Sequence, residues 1–376
     1  MTGIYIHIPF CRKACHYCNF HFSTSLKLKD EVLTAIEKEI KQPQHFIDAS
    51  NPVSTIYFGG GTPSYIEPKY IEGLLKTIYS TFDIIPGAEI TLEANPDDIT
   101  PATLQAWKNS GINRLSVGIQ SFNDAELTWM GRTHTAKHAI ACLKWINDAG
   151  FKNFSTDLIF GSPLLSDEDL LKHLHILLDA RVPHLSCYAL TVEAKTALAA
   201  QIKKNTSKDV DAETQSRQFL MVMNFLESAG YEHYEISNFA IPGMQSKHNS
   251  SYWEGKPYWG FGPAAHSFNG RTERRWNIAN NAMYVKQINN HQPVFTSELL
   301  TPADQWNEMI MISLRTSTGV NLTEMGKRFG TDKLESFKSN CTVYFNRGYM
   351  ETDNKYIRLT KEGKLFADGI AADLFI

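Results

Sequence analysis

A chain of 376 residues, 43% hydrophobic and 20% charged, has the make-up of a globular protein with one large domain and a smaller companion. Its 37 Lys and Arg against 40 Asp and Glu leave a net charge of −3, which excludes bulk attraction to nucleic acid or an anionic membrane. The opening Met1-Thr2-Gly3-Ile4-Tyr5 lacks the basic and apolar regions of a signal peptide, and no apolar run is long enough to span a bilayer, so a cytoplasmic location is expected.

Short β-rich runs alternate with amphipathic helical segments. The strands expected in chain order are Ile4–Ile8, Ser54–Phe58, Glu89–Ala94, Arg114–Ile119, Asn153–Ile159 and Leu185–Leu190. Thr100-Pro101 caps a helix carrying Leu104 and Trp107, and Gly111 stops it. Ala139, Leu143 and Ile146 share a second helical face, ended by Gly150. Ser166 and Asp169 form a capping-box pattern before Leu170, Leu174 and Leu177. Six such units predict an α/β fold, a partial (β/α)6 barrel with functional residues at the carboxyl ends of its strands. A polar stretch, Gln201–Asp211, precedes a helix over about Ala212–Ala229, and an aromatic, glycine-rich region follows from Tyr231 to Phe268. Past Thr301-Pro302 the pattern becomes small α+β and winged-helix-like. Helices are expected at Asp304–Leu314, Leu322–Phe329 and Asp332–Asn340, with a hairpin of Met350–Thr352 and Tyr356–Leu359. The expected divisions are 1–230, 231–300 and 301–376.

Three cysteines, Cys11, Cys15 and Cys18, stand in C-x3-C-x2-C spacing just after the first strand. Three thiolates suit three irons of a [4Fe–4S] cluster and leave a fourth iron open to a small molecule. Cluster motifs of the electron-transfer kind supply four cysteines. A zinc reading would recruit His16 or His21 as a fourth ligand. Cys142, Cys187 and Cys341 are scattered and read as small buried hydrophobes. After the second strand, Gly59-Gly60-Gly61-Thr62 lets backbone approach a ligand, and no Gly-Lys-Ser/Thr follows that would make it a phosphate loop. Polar residues recur at later strands: Glu93 and Gln120 at strand ends, Asp157 within strand five, and Arg132 in Met130-Gly131-Arg132. A charge buried in a strand needs a partner. The segment His248-Asn249-Ser250-Ser251-Tyr252-Trp253 lies among aromatics; a lone histidine there is usually a core residue.

The cysteine spacing, with Tyr5-Ile6-His7-Ile8-Pro9-Phe10 ahead of it, resembles the radical S-adenosylmethionine (SAM) superfamily. Within it, the chain is similar to oxygen-independent coproporphyrinogen III dehydrogenases and their HemW-type relatives. The resemblance implies that Cys11, Cys15 and Cys18 hold a [4Fe–4S] cluster whose open iron chelates SAM, and that one electron cleaves SAM to methionine and a 5′-deoxyadenosyl radical. It places SAM against Gly60, Gly61, Thr62, Glu93, Gln120, Arg132 and Asp157, with Tyr5 and Tyr17 near the cluster and adenine and the backbone of Ala189 on the last strand. A side chain added at Gly60 is then expected to obstruct the methionine end of SAM. The H-N-x-x-Y-W segment resembles the haem-binding motif of HemW-type haem chaperones. On that resemblance His248 is the leading axial ligand, with Tyr252 and Trp253 beside the macrocycle and His266 as competitor. Arg271, Arg274 and Arg275 read as a solvated cluster.

Two departures separate the chain from the dehydrogenases. Their cysteine motif continues to a fourth cysteine where Phe20 stands here, and they carry an amino-terminal extension where only ten residues precede Cys11. The expectation is therefore a haem chaperone that binds cluster, SAM and haem, passes haem to acceptor haemoproteins and draws electrons from a donor such as flavodoxin or ferredoxin. Coproporphyrinogen oxidation is the alternative. Radical modification of RNA or peptide is disfavoured by the charge balance and the lack of an RNA-binding segment.

Overall fold

Ile4-Tyr5-Ile6-His7-Ile8 carries the β-branched residues that suit a strand covered on both faces. In the computed structural model, which describes residues 1–376 except 44–45 and 48–50, it lies inside a twelve-stranded sheet. Six strands run parallel in chain order: β1 (Thr2–Ile8), β2 (Val53–Gly60), β3 (Ile84–Ala94), β4 (Arg114–Gln120), β5 (Phe154–Phe160) and β6 (His184–Ala189). Helices Lys29–Lys41, Pro68–Thr81, Pro101–Asn109, Ala136–Asp148, Asp167–Asp179 and Ala212–Ser228 follow in turn. Ile4, Ile6 and Ile8 belong to the core shared with these helices, while Tyr5 stacks on Tyr57 of the next strand and shares the opposite face with His7. This is the expected partial barrel. β3 starts five residues earlier than expected. Its exposed Pro86-Gly87 bulges between two paired stretches, as suits a proline that cannot donate to a ladder.

The helix ends follow local chemistry. Thr100 and Thr103 cap each other's backbone N–H groups. Ser166 caps the Asp169 N–H, but the Asp169 carboxylate accepts the Ser166 hydroxyl and not the N-cap amide, so only half of that box forms.

The aromatic, glycine-rich region extends both edges of the sheet. β7 (Glu232–Glu235) and β8 (Asn238–Ala240) add antiparallel beyond β6. β9 (Tyr258–Phe261) pairs parallel with the free side of β1, and β10 (His266–Phe268), β11 (Glu273–Asn277) and β12 (Phe295–Leu299) continue antiparallel. β9 needs its glycine where β10 folds back on it: a Cβ at Gly260 would sit 1.9 Å from the His266 carbonyl oxygen. Residues 302–374 have a core of their own around Trp306, Ile310, Phe337, Cys341 and Ile357, and β13 (Val320–Asn321), β14 (Met350–Thr352) and β15 (Tyr356–Leu359) form its small sheet. One helix there runs Thr331–Asn346, past the expected Asn340, because Phe337, Cys341 and Tyr344 keep the buried stripe going. Among the described residues no helix is long and apolar enough to cross a membrane.

Glu39 ties the extension to the barrel. Its carboxylate accepts the Tyr284 hydroxyl at 2.5 Å, the Gly262 amide at 2.8 Å and the Asn277 side-chain amide at 2.8 Å. Burial outweighs these bonds and raises its pKa from 4.5 to about 7. Between those values the folded state holds a proton that the unfolded state has released, so stability falls as pH rises. Denaturant unfolding should show the wild-type advantage over Glu39→Gln shrinking from pH 4.5 to about 7, by on the order of 1–3 kcal/mol. A constant difference across that window would mean Glu39 is not buried as described.

Candidate functional site

The carboxyl ends of β1 to β6 surround a cavity of about 560 Å³. The loop after β1 brings Cys11, Cys15 and Cys18 into its wall, together with Tyr17. The loop after β2 contributes Gly60, Gly61 and Thr62. Glu93, Gln120, Asp157 and Ala189 enter from the four remaining strands, and Arg132 from the segment after β4. Residues far apart in sequence thus converge because, Asp157 within β5 aside, each follows or lies near the end of a parallel strand, and all parallel strands point the same way. Tyr5 is the exception. It faces the same side of the sheet but lines a neighbouring cavity, beside the stacked pair of Tyr57 and His248.

The three thiols line one cavity, and two of them accept hydrogen bonds. Thr62 donates to the Cys11 sulfur at 3.4 Å and Arg132 to the Cys15 sulfur at 3.5 Å. Such donors stabilise thiolate, whereas burial raises the Cys11 thiol to about 11 and shifts Cys18 upward too. Neither histidine of the zinc alternative lines this cavity. His16 Nδ1 bonds the Trp129 carbonyl at 2.7 Å and His21 Nε2 bonds Asn281 at 2.8 Å. Cys142, Cys187 and Cys341 are buried elsewhere.

The polar groups are held by each other before any ligand arrives. Glu93 accepts the Tyr57 hydroxyl at 2.8 Å and the Gly60 amide at 3.1 Å. Arg132 also donates to Asn95 at 2.6 Å and to the Gly118 carbonyl at 2.7 Å. Sequence reasoning missed Tyr57 and Asn95. Both sit one pleat from a chosen residue, Tyr57 two before Gly59 and Asn95 two after Glu93, and that period-two placement was the available signal. Burial raises Glu93 to about 7, helped by nearby Asp157, and raises Asp157 to about 6 against its Ser186 hydrogen bond. Gln120 takes the left-handed conformation, φ 67°, at the end of β4.

Gly60 does not behave as expected. With φ +107° and a would-be Cβ 2.7 Å from the His7 ring, a side chain there collides with protein before it reaches a ligand. The equivalent atom on Gly61 would lie 2.7 Å from the Phe10 amide nitrogen. These glycines let β2 pack on the cysteine loop.

The His248 segment folds as the helix Lys247–Trp253, capped by Ser246. The ring of His248 is 1% exposed, bonded through Nδ1 to the Thr55 hydroxyl and through Nε2 to the Tyr252 hydroxyl, both at 2.8 Å. As placed, both ring nitrogens are engaged, and the short helix buries the ring against β2. Burial lowers its pKa to about 3, so the ring is neutral. Tyr252, Trp253 and His266 do meet, in a cavity of about 880 Å³ beside the first. Phe20, 70% exposed, lines both cavities.

A cysteine triad at the mouth of a six-stranded parallel barrel defines a radical SAM protein, and a model of the radical SAM superfamily matches residues 5–177. A model of the HemN C-terminal domain matches residues 300–366. The heme chaperone HemW of Bacillus subtilis (strain 168) is 32% identical over 98% of each chain. The heme chaperone HemW of Mycobacterium tuberculosis is 31% identical over 99% of this chain and 94% of that one. The chain belongs to the HemW family. Its fold matches coproporphyrinogen III oxidase (HemN) from Escherichia coli with a TM-score of 0.84 over 100% of this chain and 90% of that chain, at 24% identity.

Replacing Cys11, Cys15 or Cys18 by Ala should abolish cluster absorption and iron–sulfide content after anaerobic reconstitution, while Cys142→Ala, Cys187→Ala and Cys341→Ala retain both. A requirement for any of the latter three would refute a three-thiol site.

Proposed function

We propose that the chain is a haem chaperone. It carries a [4Fe–4S] cluster on Cys11, Cys15 and Cys18, binds SAM in the first cavity, holds haem in the second and passes it to acceptor haemoproteins in the cytoplasm. The observation that carries this reading is the pairing of a cysteine-lined cavity with a larger aromatic one across Phe20. About 880 Å³ lies within the range of cofactor-binding cavities. Similarity over the full length to proteins named heme chaperones supports the choice of cargo.

A reduced cluster of this kind supplies the electron that cleaves bound SAM. The chain's own residues do the holding. Arg132 and the backbone near Gly60 and Thr62 suit the methionine end, and Glu93 and Asp157 set a negative wall against a cationic sulfonium and ammonium. An electron donor such as flavodoxin or ferredoxin fits the need for reduction.

The same geometry could serve coproporphyrinogen III oxidation, and one experiment separates the two readings. Reconstituted protein is incubated anaerobically with coproporphyrinogen III, SAM and a reductant, and separately with haem and an apo-haemoprotein. Haem transfer without vinyl product is expected. Vinyl product would make the chain a dehydrogenase.

Because Glu93 and Asp157 titrate near 7 and 6, both become anionic as pH rises through that range. SAM affinity, read by changes in the cluster's paramagnetic spectrum, should therefore rise severalfold between pH 6 and 8, by at most about 1.4 kcal/mol per pH unit for each acid. Glu93→Gln should flatten the dependence. A flat wild-type profile would remove these acids from the SAM site.

A further inference from the structure

Glu126, in the short helix Asp124–Trp129 that follows β4, is fully buried and lines neither cavity. A carboxylate taken out of water is costly unless it is hydrogen-bonded. Its two oxygens accept from serines that follow two different strands. Ser121, directly after β4, donates to Oε2 at 2.7 Å, and Ser162, two residues past β5, donates to Oε1. Each serine oxygen in turn accepts a backbone amide, from Asn123 at 3.0 Å and from Leu164 at 3.4 Å, so its hydroxyl proton is left for the carboxylate. Burial raises the Glu126 pKa, and the Ser162 and Ser121 hydroxyls oppose that rise.

Beside this clamp the backbone is strained. The Ser121 amide donates to the Ile119 carbonyl at 2.9 Å across Gln120, whose φ is 67°. That is a γ-turn in its rare positive-φ form, at a residue that lines the first cavity. A residue with a side chain holds such a conformation only where its surroundings over-determine it. Two groups do so here. The Ile119 carbonyl also accepts the His134 Nε2–H at 3.0 Å, and Ser121 is held from outside by Glu126. Burial lowers the His134 pKa to about 4, so this ring is neutral and its single N–H points at the turn.

We propose that Glu126 is a positioning residue for SAM: its carboxylate ties the ends of β4 and β5 together and so holds Gln120 in its strained turn at the wall of the first cavity. The assignment rests on the SAM-binding reading above. Glu126 touches no ligand itself. Without its carboxylate, Ser121 loses its anchor and Gln120 relaxes to negative φ in most molecules. The apparent SAM affinity then falls in proportion to the fraction that keeps the turn.

The test is a titration of reduced, cluster-loaded protein with SAM under anaerobic conditions, read as the change in the cluster's paramagnetic spectrum. It compares wild type, Gln120→Ala, Glu126→Ala and the double variant. Glu126→Ala should keep the full iron–sulfide content and bind SAM about tenfold more weakly. Glu126→Gln, which keeps one acceptor oxygen, should recover part of that loss. The double variant should bind no more weakly than the worse single one, because Glu126 acts through Gln120. Should Glu126→Ala fail to load its cluster, Ser162→Ala takes its place in the same cycle, since it removes one tie and keeps the carboxylate. Wild-type SAM affinity in the cluster-loaded clamp variant, or losses that multiply in the double variant, would overturn the positioning role and leave SAM in the first cavity. Absence of any SAM-induced spectral change in wild type, or an unaltered affinity in Gln120→Ala, would overturn the reading of the SAM site and the proposal with it.

Discussion

The site depends on one close approach of two backbones. The Gly61 amide donates to the Ile8 carbonyl at 2.9 Å, and the Thr62 amide to the Phe10 carbonyl at 2.8 Å. The end of β2 is thereby fastened to the start of the cysteine loop without an intervening side chain. Any Cβ at Gly61 would displace the Phe10 backbone, and Phe10 immediately precedes Cys11. The position of Cys11 is therefore set by main-chain hydrogen bonds, which are less adaptable than side-chain contacts. Thr62 completes the arrangement by placing its hydroxyl on the Cys11 sulfur.

A second layer of order lies under this one. Tyr5, Tyr57, His248, Tyr252 and Tyr258 form a network of ring contacts, of which Tyr5, Tyr252 and Tyr258 line the second cavity. Tyr57 donates to Glu93 at one end, and His248 bonds Tyr252 further along. The hydrogen bonds fix the azimuth of rings that stacking alone would leave free to slide. The network thus connects Glu93, in the wall of the first cavity, to Tyr252 and Tyr258 in the wall of the second.

The barrel was legible from sequence because its strands are long, buried and separated by well-marked helices. Cys11, Cys15 and Cys18 declared themselves by spacing. Glu93, Gln120 and Asp157 declared themselves by falling on successive strands. The edges of the sheet were not legible. β7 to β12 are three to five residues long, too short for a periodic signal, and β9 joins the barrel through β1, far away in sequence. His248 shows the same limit at a single residue. Sequence reveals an imidazole among aromatics, but not that the Thr55 hydroxyl, 193 residues earlier, already occupies one nitrogen. Gly60 was singled out correctly as a tight spot. The tightness comes from His7, which alternation alone did not connect to it.

The pairing of β9 with β1 has a consequence for how the protein is made. β1 leaves the ribosome first, but the strand that covers its second edge spans Tyr258–Phe261. At translation rates of about 5–20 residues per second, that edge stays open for on the order of tens of seconds. During this interval the strand leading into the cysteine loop presents unpaired N–H and C=O groups, a template for wrong partners. Iron–sulfur assembly on the nascent chain would then meet a loop anchored on one side only. The order of synthesis favours late metallation, after most of the polypeptide has emerged and the sheet has closed over its first strand.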